Sequence, residues 1–349
     1  NRNENPFSNL FKKPIPLKFL ASMLSKLTSI IALGLTTTVG STKLYMMNNT
    51  KVVPGTSSLL EYDTTTNNYV VISKDSSLQA SVNDCIDAAV VCGNTWYGVW
   101  TDVPVNDGIV SIDLKTGKRQ YLGPGMDGGV IHHALGCNND DNTLYTLASK
   151  TNNGKPVTFH VTSYNPANGT ATTITDLPDV DFAGFDNSFG FTSDGMLYAV
   201  FPNNEFEPKV TSGDLFLINA KTGGESTKYA LPSDLGMSLG LWATADSSTF
   251  KGGFVKQGPL KMTNKLCDIK LSTEGEASVS NCEEADYIQT HSSNAAAACE
   301  DKHAYLLQSN IGGGPGTPQL LTGLNLNNGS ADLSVDISKS VSFNYVGAL

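Results

Sequence analysis

Six short apolar segments recur along this chain, and five of them carry a polar residue at the same place. These are Asp87 in CIDAAVVC, His132 in VIHHALGC, Asp186 in FDNSFGF, Asn294 in SSNAAAAC and Asn344 in SFNYVGAL; GMSLGLW offers Met237 instead. Two carboxylates, two amides and an imidazole form a donor set for a divalent cation. The hard oxygens suit Ca²⁺, and the imidazole also admits Zn²⁺ or Mn²⁺. Carboxylates brought together in a narrow opening repel one another unless a cation or a proton offsets them. The same groups can instead hydrogen-bond ordered water, so a water-filled opening is the competing reading. His133 follows His132 and points to the opposite face of a strand. His291, at the entry to the segment of Asn294, is the candidate acid/base, while His160 and His303 lie on outer or second strands and read as structural. No G-x-S-x-G, H-E-x-x-H, phosphate-loop or EF-hand pattern occurs.

Aromatic residues suggest a different chemistry. Trp96, Tyr97, Trp100 and Tyr121 fall in one stretch, and Trp242 ends another apolar segment. An aromatic ring beside amide or carboxylate groups offers a sugar an apolar platform and directional hydrogen bonds. Trp100 with Asp102 is the ligand-binding candidate; Trp96 and Trp242 read as packing residues.

The elements that must position these residues are read from a repeat. Gly117, Gly169, Gly223, Gly275 and Gly329 each sit between two strand-like runs, at intervals alternating 52 and 54 residues (117 to 169, 169 to 223, 223 to 275, 275 to 329), and Asn67 marks the sixth turn. A second short strand precedes each hairpin: KLYMMNN, TWYGVW, TLYTLAS, MLYAVF, TFKGGF and AYLLQS. A period near 50 with several short strands per unit predicts an all-β, six-bladed β-propeller of four-stranded antiparallel blades. The apolar segments are the inner strands, whose starts are expected to converge on one mouth of the central channel. The first blade has three strands after residue 42, so the C-terminal SVSFNYVGAL is expected to supply its inner strand and close the ring, which removes free edges.

This arrangement resembles the six-bladed propellers of the senescence-marker/paraoxonase/strictosidine-synthase-like superfamily. The resemblance is architectural and spans about 300 residues. It implies a central divalent cation held by carboxylate and amide side chains of the inner strands, and a lactonase- or esterase-like hydrolase. The family's glutamate in the first blade has no match here, where the equivalent strand offers Asn344, and Met237 stands in place of a polar ligand.

Composition bounds the partners. Forty per cent of residues are hydrophobic, enough for a large core, and a net charge of −10 argues against nucleic acid and anionic membranes. The organisation expected is an upstream segment 1–22, a secretory signal peptide over 23–41 and a single propeller over 42–349. Lys26, the apolar run Leu27–Leu35 and the small residues Val39-Gly40-Ser41 make the signal-peptide pattern. A membrane anchor over 15–35 or a first-blade strand from SIIALGL are the rival readings of this stretch; the mature protein is expected to have no span.

Secretion agrees with six cysteines, an even set, and with N-glycosylation sequons at Asn48, Asn168 and Asn328. Cys267 and Cys282 lie symmetrically about the Glu274-Gly275 turn and are expected to be bonded; Cys92 with Cys137 is the plausible second pair, and Cys85 and Cys299 are unassigned. Two functions follow. One is a secreted, glycosylated binding protein for a small-molecule, carbohydrate or protein ligand. The other is a divalent-metal hydrolase using Asp87, His132, Asp186, Asn294 and Asn344, with calcium the expected ion.

Overall fold

The computed structural model describes residues 33–38, 41–48, 57–75, 85–101, 108–122, 130–138, 140–152, 155–167, 170–178, 180, 189–201, 213–223, 225–232, 235, 237–257, 262–285, 293–298, 303–309 and 319–336. They form six four-stranded antiparallel sheets, each from one contiguous stretch of chain. The first blade contains β1 (Leu33–Thr38), β2 (Ser41–Asn48), β3 (Ser57–Asp63) and β4 (Asn68–Asp75). The second contains β5 (Cys85–Cys92), β6 (Thr95–Thr101), β7 (Gly108–Asp113) and β8 (Arg119–Tyr121). The third contains β9 (Val130–Asn138), β10 (Thr143–Asn152), β11 (Lys155–Asn165) and β12 (Thr170–Leu177). The fourth contains β13 (Phe189–Phe191), β14 (Leu197–Phe201), β15 (Asp214–Ile218) and β16 (Ser226–Ala230). The fifth contains β17 (Met237–Ala243), β18 (Thr249–Gln257), β19 (Met262–Leu271) and β20 (Ala277–Glu284). The sixth contains β21 (Ser293–Ala298), β22 (His303–Ser309), β23 (Gln319–Asn325) and β24 (Ala331–Asp336).

Middle strands are covered on both faces by neighbouring blades, so they read as apolar runs without alternation: all five residues of β14 are buried. Outer strands lack that cover, and in β20 no residue is fully buried. The seams between blades are the core. Trp96, Val110 and Ile112 meet Tyr45 and Leu59 between the first and second blades. Tyr97, Val99 and Ile109 meet Leu135, Leu144 and Tyr164 between the second and third. Phe159 and Val161 meet Leu197, Ala199 and Phe216 at the next seam, and Tyr198 and Leu215 meet Leu241 and Phe250 at the one after.

The outer hairpins explain the glycine period. Asn67, Gly117, Gly223, Gly275 and Gly329 all have positive φ, between 55° and 87°, a region that glycine enters freely and asparagine tolerates. Four residues earlier stands an Asp or Asn whose backbone oxygen accepts the turn residue's N–H: Asp63 for Asn67, Asp113 for Gly117, Asn219 for Gly223 and Asn325 for Gly329. Its side chain also accepts from the turn backbone, as when Asp113 Oδ1 takes the Thr116 N–H at 2.7 Å. Such Asx geometry pre-forms the turn. Those N–H bonds, the Thr116 one foremost, hold the Asp113 carboxyl below the usual range, and the Thr66 N–H does the same for Asp63.

Two disulfides stand among the described residues. Cys92–Cys137 ties the inner strands of the second and third blades, and Cys267–Cys282 crosses the β19–β20 hairpin. The second pair was expected from symmetry about the turn, and the structure reaches it through a bulge. Next to the turn the register pairs Asp268 with Ser280; beyond it Leu266 meets Glu283. Asn281, at φ 49°, is the extra residue, and it brings Cys282 level with Cys267.

Ring closure differs from expectation. The inner position of the first blade is held by β1, which pairs with β2 from Leu33↔Met46 to Thr38↔Ser41 and lies beside both β5 and β21. The propeller therefore starts inside the stretch 23–41 expected as a leader, and every blade keeps its own strands. The physical reason is that the end of the leucine-containing run passes into Thr36-Thr37-Thr38, β-branched residues that suit a strand, and the two-residue Val39-Gly40 link lets that strand pair with β2. The expected closing strand in residues 337–349 lies outside the described residues.

Candidate functional site

The two ends of the ring are unlike. Connections from first to second strands, and from third to fourth, are tight: Gly93-Asn94 joins β5 to β6, and residues 114–118 join β7 to β8. Most connections at the other end are longer, including 49–56, 102–107, 202–213 and 310–318 within blades and 76–84, 122–129, 178–188 and 285–292 between them, whereas 153–154 and 258–261 are short. The inner strands begin at this loop-bearing end, and the described members of the polar column, Asp87, His132 and Asn294, lie near those strand starts.

Asp87 lies in β5 at a bulge: Ile86 pairs with Trp100 and Ala88 with Val99, leaving Asp87 unmatched. Asn294 in β21 pairs with Leu307, and Met237 in β17 pairs with Val255. Trp100 pairs with Ile86, one rung before Cys85↔Thr101, and with Gly108, the last rung of the β6–β7 ladder. Asp186, Asn344, His291, Asp102 and Asn168 lie outside the described residues. Asn48 is in β2 opposite Ser58; Asn328 is exposed in the β23–β24 turn.

His132 is the member of the column whose surroundings are resolved in full, and it does not face an opening. It is 1% exposed. Its Nδ1 is 3.2 Å from Thr146 Oγ1, on the sheet face that packs against the second blade, and its Nε2 is buried without a hydrogen-bond partner among the described residues. Burial, with the nearby His160 adding repulsion, pushes the imidazole down to about 4. His133 turns to the other face: its Nε2 is 2.7 Å from Ser149 Oγ, and its ring lies 5.2 Å from that of Phe159. Burial and the two neighbouring histidines push it down to about 4 as well. The register places Ala148 between His132 and His160, so the small side chain of Ala148 leaves space above the sheet for both rings.

His160, expected to be incidental, is thus part of this group, as are Thr146, Thr162 and Ser149, all buried. Only the cross-strand register reveals the cluster. Chemically, its His132 and His133 are neutral imidazoles at pH 7. The His133–Ser149 contact has the partners of a base–nucleophile pair, yet Ser149 is wholly buried and meets no substrate. Among the described residues, no three His, Cys, Asp or Glu side chains converge as metal ligands.

A second polar group sits at the tight-turn end. Asp332 accepts the Ser330 Oγ–H at 2.5 Å and the Asn325 Nδ2–H at 2.8 Å, and faces His303 Nε2 at 3.1 Å. These hydrogen bonds, Ser330's first, draw its carboxyl down to about 2. The carboxylate lies between serine and histidine, so no base activates the hydroxyl; the group clamps the turn.

Closed six-blade architecture and the asymmetry of its ends define the class: a six-bladed β-propeller. No protein-family model matches the chain, and no curated protein matches it in sequence. Among solved structures, TolB from Acinetobacter baumannii is similar at 13% identity and a TM-score of 0.50, covering 81% of this chain and 60% of its own. A putative 6-phosphogluconolactonase from Bacteroides uniformis aligns at 13% identity and a TM-score of 0.48, over 81% of this chain and 80% of that one. Another from Bacteroides fragilis aligns at 12% and 0.45, over 87% and 96%. These likenesses show the fold alone, and this chain spans less than two thirds of the TolB chain.

Proposed function

We propose that this chain is a secreted, N-glycosylated propeller that acts by binding, and that it holds a carbohydrate ligand at the loop-bearing end of the ring. The asymmetry of the connections carries this reading. A rigid ring with tight turns at one end and long loops at the other is a scaffold that presents recognition residues on those loops. The stretch 102–107 begins at Asp102, two residues after Trp100 in sequence, so a tryptophan and an aspartate stand near each other in the chain at its root. That pairing suits the apolar face and hydroxyls of a sugar. The two disulfides support an oxidising compartment. Asn328 supports the glycoprotein reading, because it is exposed in a tight-turn hairpin, where a glycan leaves the loop end clear.

The test is a glycan array probed with the disulfide-intact protein, alongside Trp100→Ala and Asp102→Asn, with metal content measured on the same sample. Saccharide binding that falls at least about tenfold in both variants is the expected result, the loss of a ring platform or of one charged hydrogen bond being of that order. No array binding, together with one bound divalent ion per chain and lactone hydrolysis lost in Asp87→Ala, would replace this reading with the metal hydrolase.

A further inference from the structure

We infer that the outer edge of the first blade is a dimerisation surface, where β4 pairs antiparallel with β4 of a second copy of this chain. Strand β4 is the last of its sheet, so one side of its backbone meets no strand among the described residues. The large hydrophobic side chains exposed among the described residues gather here. Tyr69, Val70 and Val71 of β4 are 40%, 59% and 37% exposed, and the remaining one, Tyr121, lies on β8 of the next blade.

The other outer strands show how such an edge is ordinarily kept single. Each carries a charge along its length: Arg119 in β8, Asp176 in β12, Lys228 in β16, Glu283 in β20 and Asp332 in β24. Charges on an edge discourage pairing with another chain. Strand β4 has its charges, Lys74 and Asp75, only at its far end, and the exposed run 65–71, Thr-Thr-Asn-Asn-Tyr-Val-Val, has none. Beyond Val71 the edge is abutted by the second blade's turn, since a Cβ at Gly117 would lie 2.3 Å from the Ile72 carbonyl oxygen.

A second copy fits this stretch because the stretch is self-complementary. A two-fold axis at Val70 sets Tyr69 opposite the other copy's Val71 and Val71 opposite its Tyr69, with Val70 facing Val70. Aromatic against β-branched is a favourable cross-strand pair, and it is made twice, as an isologous contact requires. Charge points the same way. Each copy carries a net charge of −10, so two copies repel unless they meet where neither is charged. The run 65–71 is such a place, and an acidic or basic partner finds no counter-charge there. Pairing β4 with itself uses the same edge on both copies, so the assembly closes as a dimer. On the binding reading above, the dimer carries two loop-bearing ends and gains avidity for a repeating glycan.

The test is sedimentation velocity of the full chain with disulfides formed, from about 1 to about 300 µM, the range in which small interfaces associate. A rise from the mass of one chain to that of two is expected as concentration increases. Val70→Lys and Val70→Glu each place like charges opposite one another across the axis, and each is expected to weaken dimerisation at least about tenfold. Mixing the two variants sets Lys opposite Glu and is expected to restore the two-chain mass. Val70 lies at the surface, so the dilute variants should melt at the temperature of the unsubstituted chain. A chain that stays single over the whole range overturns the inference, as does a dimer that both substitutions leave intact or that mixing does not restore. The glycan array reads the loop-bearing end and sedimentation reads the edge, so each reading can fail without the other.

Discussion

Acidification should destabilise this propeller between pH 6.5 and 4, because His132 and His133 are buried as neutral imidazoles. Each is held at about 4 in the fold, against about 6.5 in an unfolded chain. The folded value is the lower one, so the unfolded state binds more protons between these limits. Stability is therefore complete above pH 6.5 and is lost as pH falls from 6.5 toward 4. At pH 5 an unfolded histidine is almost fully protonated while a folded one is about one-tenth protonated, a difference of about 2 kcal/mol per residue. The two rings repel when charged, so their joint contribution is about 3–4 kcal/mol, a large share of a typical unfolding free energy. Carboxylates such as Asp332, drawn down to about 2, contribute their loss only at lower pH and do not obscure this window. Urea denaturation at pH 8 and pH 5 measures the effect. His132→Gln and His133→Gln should each flatten the pH dependence by about 2 kcal/mol, although each costs stability at pH 8 through lost packing. An unfolding free energy unchanged between pH 8 and pH 5, or a pH dependence in either variant equal to that of the unsubstituted protein, would refute the argument.

Two further perturbations follow from backbone geometry. A Cβ at Gly117 would lie 2.3 Å from the Ile72 carbonyl oxygen, on a residue at φ 67°, whereas Gly195 at φ 83° has nothing within 4 Å. Gly195→Ala should cost about 1 kcal/mol for its conformation alone, and Gly117→Ala about 3 kcal/mol or more because the second blade's turn must also move off the first; equal costs by chemical denaturation would show that the inter-blade contact is slack. The disulfides close loops of separation 45 for Cys92–Cys137 and 15 for Cys267–Cys282, so replacing each pair by serines should cost about 4 and about 3 kcal/mol respectively. The reverse order in melting experiments would mean that the inner strands hold together without their bridge.

What the sequence reveals depends on how narrowly the local physics restricts residue type. Positive φ at the hairpin turns admits little besides glycine and asparagine, so the period exposes Asn67 as readily as Gly117. The Asp or Asn four residues earlier was equally visible in DLKTG, NAKTG and NLNNG, and its role emerges only with the hydrogen bonds it accepts. The first blade's inner strand was ambiguous for a different reason: a short apolar run with small residues at its exit satisfies a secretory leader and an inner strand alike. Neither pattern excludes the other, and the strand becomes visible only in its register with β2.

The polar column was legible in alignment but not in direction. In a propeller the faces of every strand meet neighbouring blades, and only the free edge of the inner strand borders the axis. A residue at the start of such a strand therefore faces the axis only where the strand breaks its pairing. The three interruptions in inner-strand register fall between Ile86 and Ala88, across the Leu147/Ala148 step of β10 that leaves His133 unmatched, and between Ser238 and Gly240. They are staggered along the strands, because each bulge answers to the packing of its own blade. His132 consequently remains in the paired lattice opposite Ala148 and turns into the seam with Thr146. Asp87, by contrast, is itself the unmatched residue. Equivalent positions in a repeat thus have equivalent surroundings only while their registers agree.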